Sequence, residues 1–141
     1  MMNPNLTSAQ ITKIGESSDL EITTSLTHID RIKDYKHILV IKSETTHYAK
    51  FTVYPIKNEK VLKVILTGLT QIDENIEIFS RELQKYNIIH SSGLVLLDGN
   101  IYFECYLDLA LDDEKSRELK IFLDKNKSKF KDIRIEELSI L

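Results

Sequence analysis

The residues of this chain that could do acid–base, nucleophilic or metal chemistry are few and scattered. Its four histidines, His28, His37, His47 and His90, fall into no H-x-H, H-E-x-x-H or H-x-x-E-H pattern, so no helix or strand presents two of them to one metal ion. His90 and Ser92 are two apart, and on a strand two-apart side chains share a face. An imidazole there could serve a hydroxyl as base. The simpler reading is a polar break or bulge in a strand, marked by Gly93. Asp108, Asp112, Asp113 and Glu114 supply the oxygens a divalent cation needs, but their spacing matches no calcium-binding loop. Asp112 to Glu114 also fit the first turn of a helix, where the macrodipole favours carboxylates. Cys105, the only cysteine, can close no internal disulfide and cannot build a four-thiolate site. Inside an aromatic strand it reads as a small buried hydrophobe. No metal site and no cofactor are expected, and the chain reads as non-catalytic.

Anion chemistry is equally sparse. No glycine-rich phosphate loop occurs. Thr67-Gly68 stands where a strand passes into a helix, and free N–H groups there could hold a carboxylate or phosphate. Lys125, Lys127, Lys129 and Lys131 cluster near the end of a second helix, where cations oppose the dipole. They read first as a solvated helix end and second as a weak anion contact. The formal net charge of −3, with acids and bases interspersed, speaks against a protein built to hold a phosphate backbone, so direct contact with nucleic acid is not expected. Tyr102-Phe103-Glu104-Cys105-Tyr106 has the aromatics of an RNA-recognition strand without its basic-glycine lead. Those rings, with Tyr48, Phe51 and Tyr54, are most simply sheet packing; some could line a pocket or a dimer face.

Elements that would position these residues can be read from periodicity. At 141 residues the chain can bury a core without staples. Four glycines and two prolines leave few breaks. Residues 1–19 are polar and read as a partly ordered arm without a signal peptide. Residues 20–58 form a β-rich segment: a short strand over 20–26, a weak helical turn over 27–34, then runs at 37–42 and 48–54 that pair as a hairpin ended by Pro55. Residues 57–60 are the linker. Beyond it, residues 61–66 make a strand. Ile72, Ile76, Phe79 and Leu83 then fall at i, i+4, i+7 and i+11, one apolar stripe of a helix. A strand lies within 88–97, a turn at Asp98-Gly99-Asn100, and a returning strand over 101–107. A second helix starts at Asp112 or Asp113 and carries Leu119, Phe122 and Leu123, with Phe130 beyond. Alternation over 133–136 makes the last strand. No run approaches about 20 apolar residues, so no membrane span and a cytoplasmic location are expected.

The fold class is therefore α+β: a ferredoxin-like β-α-β-β-α-β unit over residues 61–141 with an additional N-terminal β hairpin. Both helices should lie on one sheet face, leaving the other for the hairpin or for a second copy. Iron–sulfur and C-x-x-C members of this topology are excluded by the single cysteine. Gly68 at the strand–helix junction, Asn87-Ile88 after the first helix and the hairpin turn at Asp98-Gly99 give the unit a resemblance to the ACT-like regulatory domains. That resemblance implies an amino acid-like effector at Thr67, Gly68, Leu69, Thr70, Asn87 and Ile88, commonly across a homodimer interface. Residues 37–43 also resemble a strand of archaeal transcription regulators of the bacterio-opsin activator type, without their C-terminal helix-turn-helix. The function expected is a regulatory or ligand-sensing module; the alternative is an adaptor acting through protein partners, possibly in transcription.

Overall fold

In a computed structural model the chain is described over residues 6–13, 32–68, 78–79 and 81–140. The chain divides into two compact units. One holds Lys60–Glu137 with Leu6, and the other Thr7–Glu59 with the last residues. Along the middle of the chain the division falls between Glu59 and Lys60.

The N-terminal unit is one antiparallel sheet of order β1-β2-β3, with β1 Ser8–Lys13, β2 His37–Glu44 and β3 Ala49–Ile56. In β2, His37, Leu39 and Ile41 are buried while Ile38 and Val40 are half-buried, the period-two signature of a strand with one dry face. β2 and β3 are the expected hairpin, in register from His37 opposite Ile56 to Glu44 opposite Ala49. Thr45 closes its turn. Its N–H donates to the Tyr48 carbonyl at 2.8 Å, and its hydroxyl accepts from the N–H groups of His47 and Tyr48. Two details differ from the sequence reading. Pro55 does not end β3 but lies inside it, opposite Ile38. That is tolerable because β3 is an edge strand whose outer side needs no donor. The polar arm contains β1, where Ile11 sits opposite Leu39 and is buried. Its alternation is carried by Ala9 and Ile11 alone, too short a pattern to stand out in the sequence; the free edge of β2 organises it. The strand expected at 20–26 lies outside the described residues.

The C-terminal unit is a mixed layer of helices and one sheet of order β5-β7-β4-β8: β4 Lys60–Thr67, β5 Ile88–Ser91, β7 Asn100–Leu107 and β8 Asp132–Ser139, with β6 Val95–Leu97 pairing β7 beside β5. β4 and β7 run antiparallel from Leu62 opposite Leu107 to Thr67 opposite Tyr102. The expected strand over 88–97 is two short strands, separated by the Ser92-Gly93-Leu94 break. Asp98 and Gly99, both at positive φ, make the turn into β7. The second helix, Glu114–Lys125, starts after Asp113, as its carboxylates indicate. With the helical residues 78–79 and 81–83 it covers one sheet face. Leu62, Val64 and Leu66 of β4 and Cys105 and Leu107 of β7 meet Phe79, Leu83, Leu119, Leu123 and Phe130 in one apolar core. With its two antiparallel sheets and its helices the molecule is α+β. Among the described residues no helix is long and apolar enough to cross a membrane.

Candidate functional site

Of the six residues anticipated for a ligand, Thr67, Gly68, Asn87 and Ile88 are among the described residues. Thr67 is buried, and its hydroxyl finds no hydrogen-bond partner among the described residues. It shares the Lys63–Ile65 side of β4, opposite the side that carries Leu66 into the core. Gly68 has φ +71°, and its N–H, expected to face an anion, donates to the Ile101 carbonyl at 2.7 Å. The stem of Lys131 runs across it: a Cβ on Gly68 would stand 2.5 Å from Lys131 Cγ and 2.7 Å from Lys131 Cβ. The glycine is thus required by backbone conformation and by close packing. Leu69 and Thr70 lie outside the described residues. Asn87 is exposed, and its carbonyl accepts the Asp108 N–H at 2.8 Å. Ile88 alone borders a cavity.

That cavity has a volume of about 350 Å³. Six segments build it. Leu66 comes from the end of β4, Phe79 and Leu83 from the first helix, Ile88 and Ser91 from β5, Gly93 and Leu94 from the break, Ile101 and Phe103 from β7, and Phe130 from the turn before β8. Leu66, Phe79, Leu83 and Phe130 are buried and make its floor. Phe130 meets Phe79 edge-on at 4.6 Å and 86°, and Phe122 lies behind Phe79 at 5.1 Å, so the floor is held by aromatic packing. Gln84, Ile88, Ser91, Gly93 and Leu94 are exposed and form the mouth. The Ser91 hydroxyl accepts from the Gly93 N–H at 3.1 Å, fixing the rim. The sequence could not single these residues out. Floor residues of a cavity are the same apolar types at the same spacing as an ordinary core, and only tertiary placement leaves space among them.

Several other chemistry-bearing residues have structural partners. The Ser92 hydroxyl donates to the Gly93 carbonyl at 2.7 Å and accepts from the Glu104 N–H at 3.0 Å, anchoring the break onto β7. His90 packs on the Tyr106 ring at 6.2 Å. The Asp113 carboxylate accepts from the Ala110 N–H at 2.8 Å. No group of three or more metal-ligating side chains occurs among the described residues. Burial pushes the Cys105 thiol up to about 12, with Glu104 adding to the effect, which keeps it protonated at neutral pH. Lys131 Nζ donates to Asn100 Oδ1 at 2.7 Å, tying the last of the four lysines to the β7 turn. On the Thr67 side of the sheet Lys63 and Glu104 are 4% and 1% exposed, 3.7 Å apart, and the Leu6 N–H donates to Glu104 Oε1 at 2.7 Å.

The chain matches no protein-family model, no curated protein and no solved structure.

Proposed function

We propose that the protein is a non-catalytic ligand-sensing module whose C-terminal unit is ferredoxin-like and ACT-like. The sheet order β5-β7-β4-β8 supports the topology, because it sets the second, third, first and fourth long strands of a β-α-β-β-α-β chain side by side. One observation carries the ligand reading: a cavity of about 350 Å³ with a buried aromatic floor and an exposed mouth. Pockets that take small molecules are concave, largely apolar and fringed by a few polar groups. The cavity adjoins the segment singled out by the resemblance through Ile88 and through Leu66, the neighbour of Thr67.

Melting the full chain against a broad panel of amino acids, nucleotides and uncharged aromatic compounds tests the reading. A ligand at one hundred times its Kd adds about 2.7 kcal/mol and raises the midpoint by on the order of 10 °C. A selective shift that is lost when Ile88→Trp fills the mouth supports a sensor. No shift from any class, with Ile88→Trp leaving the midpoint unchanged, overturns it.

The interaction reading has its own support. On β6 Leu96 is 74% exposed, with Leu94 and Leu97 exposed beside it. An exposed apolar stretch at a strand is a template for pairing with another chain, here a second copy. Sedimentation of Leu96→Glu decides it: a dimer that becomes a monomer supports that reading, and a wild-type monomer removes it.

A further inference from the structure

We propose that the cavity takes a neutral, largely apolar molecule of about a dozen non-hydrogen atoms, such as a two-ring compound with one hydroxyl or carbonyl, and selects against free amino acids and carboxylates. This rests on the ligand reading above and names its class.

Charge is the first argument. Of the described residues around the cavity none is ionisable; Gln84 and Ser91 are the polar side chains, and both stand at the mouth. A zwitterion or carboxylate drawn inside would lose its hydration with no counter-charge among the described lining residues to replace it. Such desolvation costs several kcal/mol per ion, more than apolar contact over a small ligand returns. Lys131, next in the chain to Phe130 of the floor, is engaged elsewhere: it reaches Asn100 and lays its stem on Gly68.

Size is the second argument. A cavity of about 150 Å³ lined by Leu, Ile and Phe stays dry and holds benzene. Scaling to about 350 Å³ gives room for roughly twice that ring, so about a dozen non-hydrogen atoms. Shape agrees. The edge-on Phe79 and Phe130 rings present flat and edge surfaces to a second aromatic system, at the centroid spacing aromatic pairs prefer.

Polarity at the mouth is the third. Ser91 Oγ already accepts from Gly93 N–H, which leaves its proton to donate, and the Gln84 amide offers both a donor and an acceptor. One neutral polar group on the ligand can therefore meet the rim while its rings fill the floor. Gly93, at φ +69° with open space where a side chain would stand, keeps the rim low enough for passage.

Calorimetric titration of the full chain with 2-naphthol, 2-naphthoate and L-phenylalanine at pH 7 separates the possibilities. Three proteins are compared: the wild type, Leu94→Trp to block the exposed rim without touching the buried floor, and Gln84→Lys to supply a cation at the mouth. An unchanged circular dichroism melt shows that each variant folds. The expected result is 2-naphthol binding at least tenfold tighter than either charged compound, loss of that binding in Leu94→Trp, and 2-naphthoate gaining at least fivefold in Gln84→Lys while 2-naphthol changes less than twofold. If 2-naphthoate or L-phenylalanine binds as tightly as 2-naphthol and is lost in Leu94→Trp, the cavity is a ligand site and the neutral class is wrong. If none of the three binds, or binding ignores Leu94→Trp, the ligand reading itself falls with the inference.

Discussion

The two faces of the C-terminal sheet solve burial in opposite ways. On the helix-covered face, Leu62, Val64, Leu66, Cys105 and Leu107 contribute only apolar atoms and a neutral thiol, and space is left over at one end. On the other, the same two strands bury Lys63, Glu104, Thr67 and Tyr106 as completely. Apolar side chains tolerate imperfect packing at a graded cost, so a void can persist there and be filled by a guest. Buried charges tolerate no such slack. Lys63 lies 3.7 Å from Glu104 and 5.7 Å from the centre of the Tyr106 ring, and Glu104 also accepts from the Leu6 N–H. One face is thus suited to change occupants and the other to hold one arrangement.

The sharpest way to break that contrast is to unpair the charges. Glu104→Ala leaves Lys63 buried without its carboxylate and should cost about 3–5 kcal/mol. The double variant Lys63→Met with Glu104→Leu, of similar volume and fully apolar, should regain most of that loss. Urea unfolding of Lys63→Met, Glu104→Leu and their double measures the coupling, with Glu104→Ala as the unpaired reference. If Glu104→Ala costs under about 1 kcal/mol, the pair is effectively solvated and the contrast between the faces fails.

A second, smaller effect lies at the junction between the faces, and it compares glycines. Gly68 and Gly93 share a positive φ, but Gly68 lies under the Lys131 stem while Gly93 faces open space. Gly93→Ala should cost about 1 kcal/mol, the strain of a left-handed residue alone. Gly68→Ala must also displace Lys131 near its own backbone, and should cost about 2–3 kcal/mol, combining strain with overpacking. Thermal melts of the two variants suffice; equal costs would show that Lys131 gives way freely.

Much of this arrangement was legible in the sequence, and the reasons for the rest are physical. The continuous apolar run of β4, the stripe through Phe79 and Leu83, the Asp98-Gly99 turn and the helix after Asp113 each carry a local signal that decides local structure. Three things carry none. β1 is organised by the edge of β2 rather than by its own Ala9 and Ile11. The commitment of the Gly68 N–H depends on Ile101, which is 33 residues away by number and adjacent only across the sheet. The cavity depends on how six segments meet, so only the resemblance points to Ile88, and Phe103 and Phe130 look like ordinary core. Glu104, one acidic residue inside an aromatic strand, carries no signal in the sequence of the burial that leaves it 1% exposed.

The smallest predicted effect tests whether the charged face is as fully satisfied as its geometry requires. Thr67 is 3% exposed, and its Oγ1 has no hydrogen-bond partner among the described residues. A buried hydroxyl without a partner forfeits the hydrogen bond it makes to water in the unfolded chain. Thr67→Val keeps the branched shape, suits a strand and removes only the orphaned oxygen, so it should stabilise the protein by about 1 kcal/mol. Because Thr67 stands on the face away from the cavity, the variant should bind 2-naphthol as the wild type does. A stabilised variant with unchanged binding would show the two faces to be energetically separate. A Thr67→Val variant that loses stability would mean that the hydroxyl is paired in solution and the face is more completely bonded than its static geometry indicates; one that changes 2-naphthol affinity more than about threefold would mean that the two faces of β4 are coupled through the strand.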